Sequence, residues 1–541
     1  MFIIIISMPN VHTKQKNHHR HPHESPEQKF RQCQEKCQST KEVEQRKTCQ
    51  QQCKQEYGKE SEQEGKGAEN LLGKKKEEEE KKKKQREKNP YFFEEQRFES
   101  RFRTEEGHFR VLQRFSDKSE LLEGIDNYRL AKLEANPNTF MIPHHCDSEA
   151  VFVVTNGQGT ITFVHQQHTE SFNLQKGDAI KVPTGSTVYL INRDNNEKLR
   201  IFMLVHPINT PGHFEEFFSA GGREPQSFYN VFSNELLEAA LNTPQERFKR
   251  VFGKLRKGFI IKASQEQIRA LSQEQQQEAG SGEGPYSQPG QGQEQGREGE
   301  SNRGPFNVLQ QQPLFSNEYG QFFEATPDTN EQLKHLDFSV AFMNIHKGSM
   351  IVPYYNTRST KLVVVVGGDG HFEMACPHIA SQGQESEDKK EKEKKHESKE
   401  KKEKESKEKE RESTSVEYQR ISARFSVGDV FIIPAGHPIS IVSSGNDDLQ
   451  LLGIGVNALH NHKNFLAGKD NIWKQVKQEA KGLSFESEAT EVDQIFGSQG
   501  NAYFVPGPNK KQSQRKGEEE EEQEQEKGHS LASILDSLGF I

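Results

Sequence analysis

The sequence predicts a mainly β chain with two tandem jelly-roll β-barrels, each followed by a helical arm. Charged low-complexity segments and a small α-hairpin near the N-terminus complete it. Three observations predict this. Hydrophobic residues make up only 31% of the chain, yet they concentrate in two blocks, roughly 90–272 and 305–500, each long enough for its own core. Inside each block, β-rich runs alternate with turn residues every 8–12 positions or so, the spacing of a sandwich or barrel. The second block also repeats the first.

That repeat is read directly. "QKGDAIKVPTGSTVYLIN" (175–192) returns as "SVGDVFIIPAGHPISIVS" (426–443), so Gly177, Pro183 and Gly185 recur as Gly428, Pro434 and Gly436. "TNGQGTITF" returns as "VGGDGHFEM", and "FMIPHH" as "MIVPYY". The offset is 211 at Gly157/Gly368 and 251 at Gly177/Gly428, so the 40 extra residues are the charged insertion at 380–417. It must be a surface loop between strands. Asn156-Gly157, between two β-rich runs, predicts a hairpin. Two helices are expected in 233–254, with Leu237 and Leu241 on one face. There Thr243 caps the second helix, Pro244 takes its first position, Glu246 closes a capping box and Gly253 stops it. "NIWKQVKQEAKGL" (471–483) and "FESEATEVDQIFG" (485–497) form the second arm.

Residues 33–53 carry Cys33, Cys37, Cys49 and Cys53 in the spacing C-x3-C-x11-C-x3-C. On helices, i and i+4 share a face. Two antiparallel helices would then be clamped by Cys33–Cys53 and Cys37–Cys49, the staples a unit this small needs in an oxidising compartment. A zinc site is the alternative; the flanking Gln and Glu, without turn residues, favour helices and disulfides. Upstream, "HHRHPH" (18–23) is a disordered tract or a weak metal binder.

These readings divide the chain into an atypical leader with a His-rich stretch (1–27), the stapled hairpin (28–56) and a charged linker (57–89). The first barrel with its arm (90–272), a Gln/Gly-rich linker (273–304), the second barrel with its arm (305–505) and an acidic tail with an apolar end (506–541) follow. "MFIIIISMPN" has an apolar run but neither a basic n-region nor a clear cleavage site. It reads as a truncated signal peptide or a misassigned start. No apolar run reaches the length of about 18 residues that a membrane span needs. Net charge is only −8, and "KKKEEEEKKKK" (74–84) mixes both signs where a nucleic-acid tail would be basic throughout. Neither a nucleic-acid nor a membrane partner is expected. Gln, Asn, Arg and Lys are abundant against 6 Cys and 7 Met, a balance that carries nitrogen cheaply and that no catalyst needs.

The G-D-x-I-x-V-P-x-G motif, its copy G-D-V-F-I-I-P-A-G-H-P, "ANPNTFMIPHH" and "MACPH" together resemble the bicupin 7S vicilins, seed storage globulins. The resemblance covers about 90–505, and the Cys-x3-Cys segment resembles vicilin N-terminal hairpin peptides. It implies tandem cupin domains, a homotrimer packed through the helical arms, and entry by the secretory pathway into seed protein storage vacuoles. Proteases are the partners during mobilisation. The terminal "SLASILDSLGFI" matches the place of a vacuolar sorting signal. The hairpin, once cut free, is the alternative function, as an antimicrobial or protease-inhibitory peptide.

A metal-dependent cupin enzyme is the third reading. It needs H-x-H-x3/4-E in the first motif and P-x-G-x2-H in the second. His144, His145 and Glu149 stand near the first pattern, but Val188 takes the last His place. In the second half Pro353-Tyr354-Tyr355 and Ile439 fill those places, so neither half assembles about three ligands and an open position. His144 and His145 then read as a polar pair at a barrel mouth. Cys376 and His378, about 6–7 Å apart on one side of a strand, form a different set with His437 of the "PAGHP" turn. One thiolate with two imidazoles suits copper well and zinc passably. The resemblance implies a bound copper at such a cluster, completed by a Tyr from the beginning of the chain, here Tyr91. The opposing reading is a buried Cys packed as a small hydrophobe. No catalytic residue is assigned.

Overall fold

The computed structural model describes residues 26–38, 43–56, 89–221, 224–252, 254, 258–278, 304–377 and 418–508. They belong to two units, 1–88 and 89–541. In the first, helices Pro26–Gln38 and Val43–Glu56 are joined by disulfides Cys33–Cys53 and Cys37–Cys49, with Cα atoms 5.8 and 5.7 Å apart. The nested pairing follows from i, i+4 spacing on two facing helices. Every sulfur of the four is bonded to another, which leaves none for zinc.

The second unit holds two antiparallel barrels of two sheets each. In the first barrel a seven-stranded sheet runs Phe306–Asn307, Asp178–Val182, Ser148–Asn156, Leu199–Pro207, Arg129–Ala135, Gly107–Leu112, Phe98–Thr104. Against it lies a sheet of Glu216–Phe218, Thr139–Cys146, Thr187–Asn192, Gln158–Val164 and Thr169–Gln175, with Ile260–Lys262 also on Thr139–Cys146. The second barrel repeats this order, from Phe92–Phe93 and Val430–Ile433 through Thr360–Gly367, Leu449–Val456 and Phe338–Ile345 in one sheet. Gly370–Cys376, Ile439–Ser443 and Ser349–Asn356 are central in the other.

Continuous apolar runs explain how the barrels join. "AVFVV" (150–154) is buried at every position, as a strand covered on both faces must be. Ala150, Phe152 and Val154 fill the first barrel, while Val151 and Val153, with Leu130, Phe202 and Leu204, join the core that runs on into the second barrel. "LVVV" (362–365) is the counterpart.

The barrels also exchange strands. Phe92 and Phe93 pair with Phe431 and Val430 of the second barrel, and Phe306 and Asn307 pair with Ala179 and Asp178 of the first. Division of the chain at 90 and 305 assigns these strands by chain order, whereas in space each lies on the other barrel. The repeated Gly-Asp turn holds the exchange. Gly177 and Gly428 have φ +92° and +97°, and each donates its N–H at 2.9 Å, to Val154 and Val365 respectively. A Cβ on Gly177 would stand 2.7 Å from Asn307 Oδ1, and one on Gly428 2.7 Å from Glu95 Cδ, so the crossing side chains would have to shift, and the left-handed φ itself favours glycine. Asp178 accepts from Gln175 N–H (2.7 Å) and Asn307 Nδ2 (2.7 Å). Asp429 accepts from Ser426 N–H (2.9 Å) and Glu95 N–H (3.0 Å).

Several expectations are corrected. Asn156-Gly157 is not a hairpin: Ser148–Asn156 and Gln158–Val164 belong to different sheets, and the turn carries the chain from one to the other. Asn-Gly supplies the left-handed Gly157 (φ +79°), but the burial of both flanking strands decides where they pair. Thr243 does not close a capping box, because its hydroxyl donates back to Leu241 O (2.9 Å), and Glu238 instead accepts from Gln245 N–H (2.9 Å). The arm helices are Asn234–Leu241, Gln245–Phe252 and Gln265–Glu278, then Gln478–Phe485 and Ala489–Gly497. Gln265–Glu278 continues into the stretch assigned to a linker from 273. The tract 18–23, most of the expected linkers and the tail, the insertion 380–417, Gly253 and His378 lie outside the described residues. Among the described residues no helix is long and apolar enough to cross a membrane.

Asp429→Ala removes the acceptor that the half-buried Glu95 and the exposed Ser426 share, at a cost of about 1 kcal/mol for the lost hydrogen bonds. Ile432 N–H donates to Tyr91 O at 2.8 Å, and hydrogen exchange at Ile432 is expected to quicken in this variant. Unaltered protection there would refute the clamp.

Candidate functional site

The two barrel interiors sit at matching places in the repeat. In the first, Val188 pairs with His144; in the second, Ile439 pairs with Tyr354, and both ladders shift register beside that pair. A ligand lattice therefore meets an apolar side chain at the same place in both copies. Alternation along Thr139–Cys146 sends His144 inward and His145 to the opposite face. His144 is buried, its ring 5.7 Å from Phe218 and 5.0 Å from Phe259, with Nδ1 3.0 Å from Ile142 O. His145 stacks on Phe217 at 5.0 Å, and Glu149 pairs with Lys181 at 3.6 Å. The three residues do not converge, and the two histidines are not a polar pair at the mouth. Burial pushes the His144 imidazole down to about 4.

Phe109, Met141, Phe152, Met203, His144 and Glu216 line what remains open in this barrel, a cavity of about 40 Å³. By that measure it has room for only a few waters. Burial raises the Cys146 thiol and the Glu216 carboxyl above their ordinary ranges, although Arg101 holds Glu216 at 2.8 Å.

The second barrel is filled by charge. Glu324 receives Lys361 Nζ at 2.7 Å and Lys463 Nζ at closer contact, and all three side chains are buried. Burial alone would raise the Glu324 carboxyl, but the two ammonium groups outweigh it and hold it near 2. The two lysines line a cavity of about 30 Å³ with Tyr354 and Asn356. Asn356 is fully buried, and its Nδ2 makes no hydrogen bond among the described residues. Sequence reasoning missed this cluster. Its signal was a charge at an inward position of a strand: Glu324 lies two residues from buried Phe322, and Lys361 two from buried Val363.

The Cys/His/Tyr set is partly assembled. The exchanged strand brings Tyr91 into the second barrel, where its ring lies 6.0 Å from His437 at 62°. Ala375 N–H donates to Pro438 O (2.9 Å), which holds the strand of Cys376 against the His437 turn. Tyr91 and Cys376 are buried, and burial first, then the nearby Cys376 charge, raises the Tyr91 phenol. Burial pushes the Cys376 thiol up to about 12. His437 Nδ1 lies 3.1 Å from Ala435 O; a carbonyl only accepts, so Nδ1 is the donor of this pair. Thiol, imidazole and phenol in one buried spot fit a soft or borderline cation, which would displace the thiol proton.

The cupin family profile matches residues 120–246 and 306–493. Vicilin Cor a 11.0101 of Corylus avellana is 44% identical over 495 residues, 91% of this chain and 98% of that protein. Vicilin-like antimicrobial peptides 2-2 of Macadamia integrifolia is 42% identical over 84% of this chain and 63% of that protein. A solved vicilin of Solanum melongena, described with different anionic ligands in structurally similar pockets, is 41% identical. It covers 77% of this chain and 98% of its own, with a TM-score of 0.65.

His144 makes stability pH-dependent in a definite direction. The unfolded chain takes a proton near pH 6.5 and the folded one only near 4. Its contribution, about 3 kcal/mol, is therefore complete above 6.5 and lost as pH falls toward 4. Denaturant midpoints of the native chain are expected to decline across that window more steeply than those of His144→Phe. Parallel profiles would contradict the assignment.

Proposed function

The chain belongs to the vicilins, seed storage globulins of the cupin family, and on that premise we propose that it is a nitrogen and carbon reserve hydrolysed on germination, not a catalyst. The observation that carries the reading is the pair Val188 and Ile439, each set in register where a metal-holding barrel needs its last histidine. Around them both interiors are packed, by aromatic rings in one copy and an ion triad in the other. The abundance of Gln, Asn, Arg and Lys agrees with a nitrogen store.

Further parts of the reading follow the family. The subunits form a homotrimer through the arms, whose Leu236, Val251, Leu483 and Ile495 are exposed by half or more. The protein reaches the seed storage vacuole through the secretory pathway, consistent with its two disulfides. Mobilising proteases cut in 57–89, 273–304 and 380–417. Copper is held by Cys376, His437 and Tyr91, with His378 from the adjoining segment, and supplies no turnover. The stapled hairpin has a secondary role as a released peptide, antimicrobial as the name of the Macadamia relative suggests, or protease-inhibitory.

A second reading concerns the interior of the second barrel. Two lysines against one glutamate leave an excess positive charge beside the cavity that the Asn356 amide lines. A small carboxylate is the ligand such a place takes, in keeping with the anions described for the Solanum protein.

Sedimentation and metal analysis of the full chain are expected to give a three-subunit particle whose copper disappears in Cys376→Ser while the particle persists. Rapid oxidation or hydrolysis of small molecules by the purified protein would defeat the storage reading. For the anion, acetate in place of chloride at equal ionic strength should raise Tm in the native chain but not in Asn356→Asp. Equal responses would remove that site.

A further inference from the structure

The hairpin tip "VHQQHTE" (164–170) carries a group that neither barrel interior uses. Strands Gln158–Val164 and Thr169–Gln175 pair with Val164 opposite Thr169, and His165 N–H donates to His168 O at 2.9 Å across Gln166-Gln167. His165 and His168 are therefore cross-strand neighbours on one face. Glu170, two residues on, shares that face. The strand Thr169–Gln175 is the edge of its sheet, so solvent reaches this end.

The side chains converge. The imidazole rings stack with centroids 4.6 Å apart at 20°. Glu170 Oε1 is 3.2 Å from His168 Nε2, Glu170 Oε2 is 3.7 Å from His165 Nε2, and one donor atom from each residue falls within 4.8 Å of the others. His165 Nε2 is shut off from solvent and makes no hydrogen bond among the described residues, although the side chain is about one-third exposed. A nitrogen so placed lacks the donor or acceptor its burial calls for. Zinc holds nitrogen and oxygen ligands at about 2.0–2.2 Å, so neighbouring donors of a tetrahedral ion stand roughly 3.3 Å apart. The two His–Glu separations bracket that spacing.

We propose that His165 Nε2, His168 Nε2 and the Glu170 carboxylate form a surface site for a borderline divalent cation, with zinc as its occupant and water in the remaining position. Two imidazoles and a carboxylate without a thiolate suit zinc better than copper(I), calcium or magnesium. The site is separate from the Tyr91, Cys376 and His437 group of the other barrel, and it does not depend on the storage reading.

The probe is Zn²⁺ alone, added to the full chain in equilibrium dialysis. The native protein and Cys376→Ser are expected to retain one more zinc equivalent per chain than the double variant His165→Ala/His168→Ala. Glu170→Gln preserves the size of the side chain and should weaken this zinc by at least the ~10–100-fold that loss of an outer-shell partner costs. Cobalt in the same site should give visible d–d bands without a thiolate charge-transfer band, and the bands should vanish in the double variant. Melting curves of the variants check that the barrel is intact. Equal zinc stoichiometry in the native and double-variant chains would overturn the site, as would cobalt bands that survive the substitutions.

Discussion

The reciprocal crossing at the two Gly-Asp turns is the constraint on which the rest of the body depends. At each turn a left-handed glycine opens the space through which the other half's first strand passes, and the next residue's carboxylate takes that segment's donor. A Cβ in the glycine's place would press on the side chain of Asn307 or Glu95, and the backbone there has a φ that other residues rarely adopt. Glu95, where the chain returns to the first barrel, then pairs with Lys132 and Arg110 at 3.2 Å each. The crossing also delivers Tyr91 to His437. Without it, the phenol would belong to the wrong barrel.

The two interiors are alternative solutions to one packing problem. A jelly roll whose ligand lattice has gone must still fill its centre. The first copy uses a neutral histidine among phenylalanines, which costs little while the imidazole stays uncharged. The second buries a carboxylate between two ammonium groups. Such a cluster is not by itself evidence of added stability, since desolvation offsets most of its attraction. Removal of one member, however, strands the others in a dry interior. That makes the triad hard to lose once present, whatever first placed it there.

Much of this was legible in the sequence because the duplication is long and ordered. The Gly-Asp and Pro-x-Gly pattern fixed where strands and turns recur, and Val188 and Ile439 already argued against a metal lattice. Helical spacing favoured the hairpin pairing Cys33–Cys53 and Cys37–Cys49 over a zinc site, and the structure has both bonds. What was not legible depends on partners distant in the chain. Asn156-Gly157 has the local chemistry of a hairpin, yet burial of both flanking strands sends them to different sheets. Thr243 has the residue types of a capping box, but its hydroxyl turns back to Leu241 O and Glu238 takes the Gln245 N–H. The inward charges Glu324, Lys361 and Lys463 come from three separated strands, and no window of sequence holds them together. His165, His168 and Glu170 are close in sequence, but only their shared hairpin face makes them a group.

Because each barrel completes its sheet with a strand from the other half, the two behave as interlocked links rather than beads on a string. A cut anywhere between residues 279 and 303 would leave Phe306–Asn307 hydrogen-bonded in the first barrel and Phe92–Phe93 in the second. The nicked chain would hold together with both cores still covered. Degradation must therefore unravel a β-ladder before it can part the halves, which gives such a molecule long persistence followed by abrupt collapse.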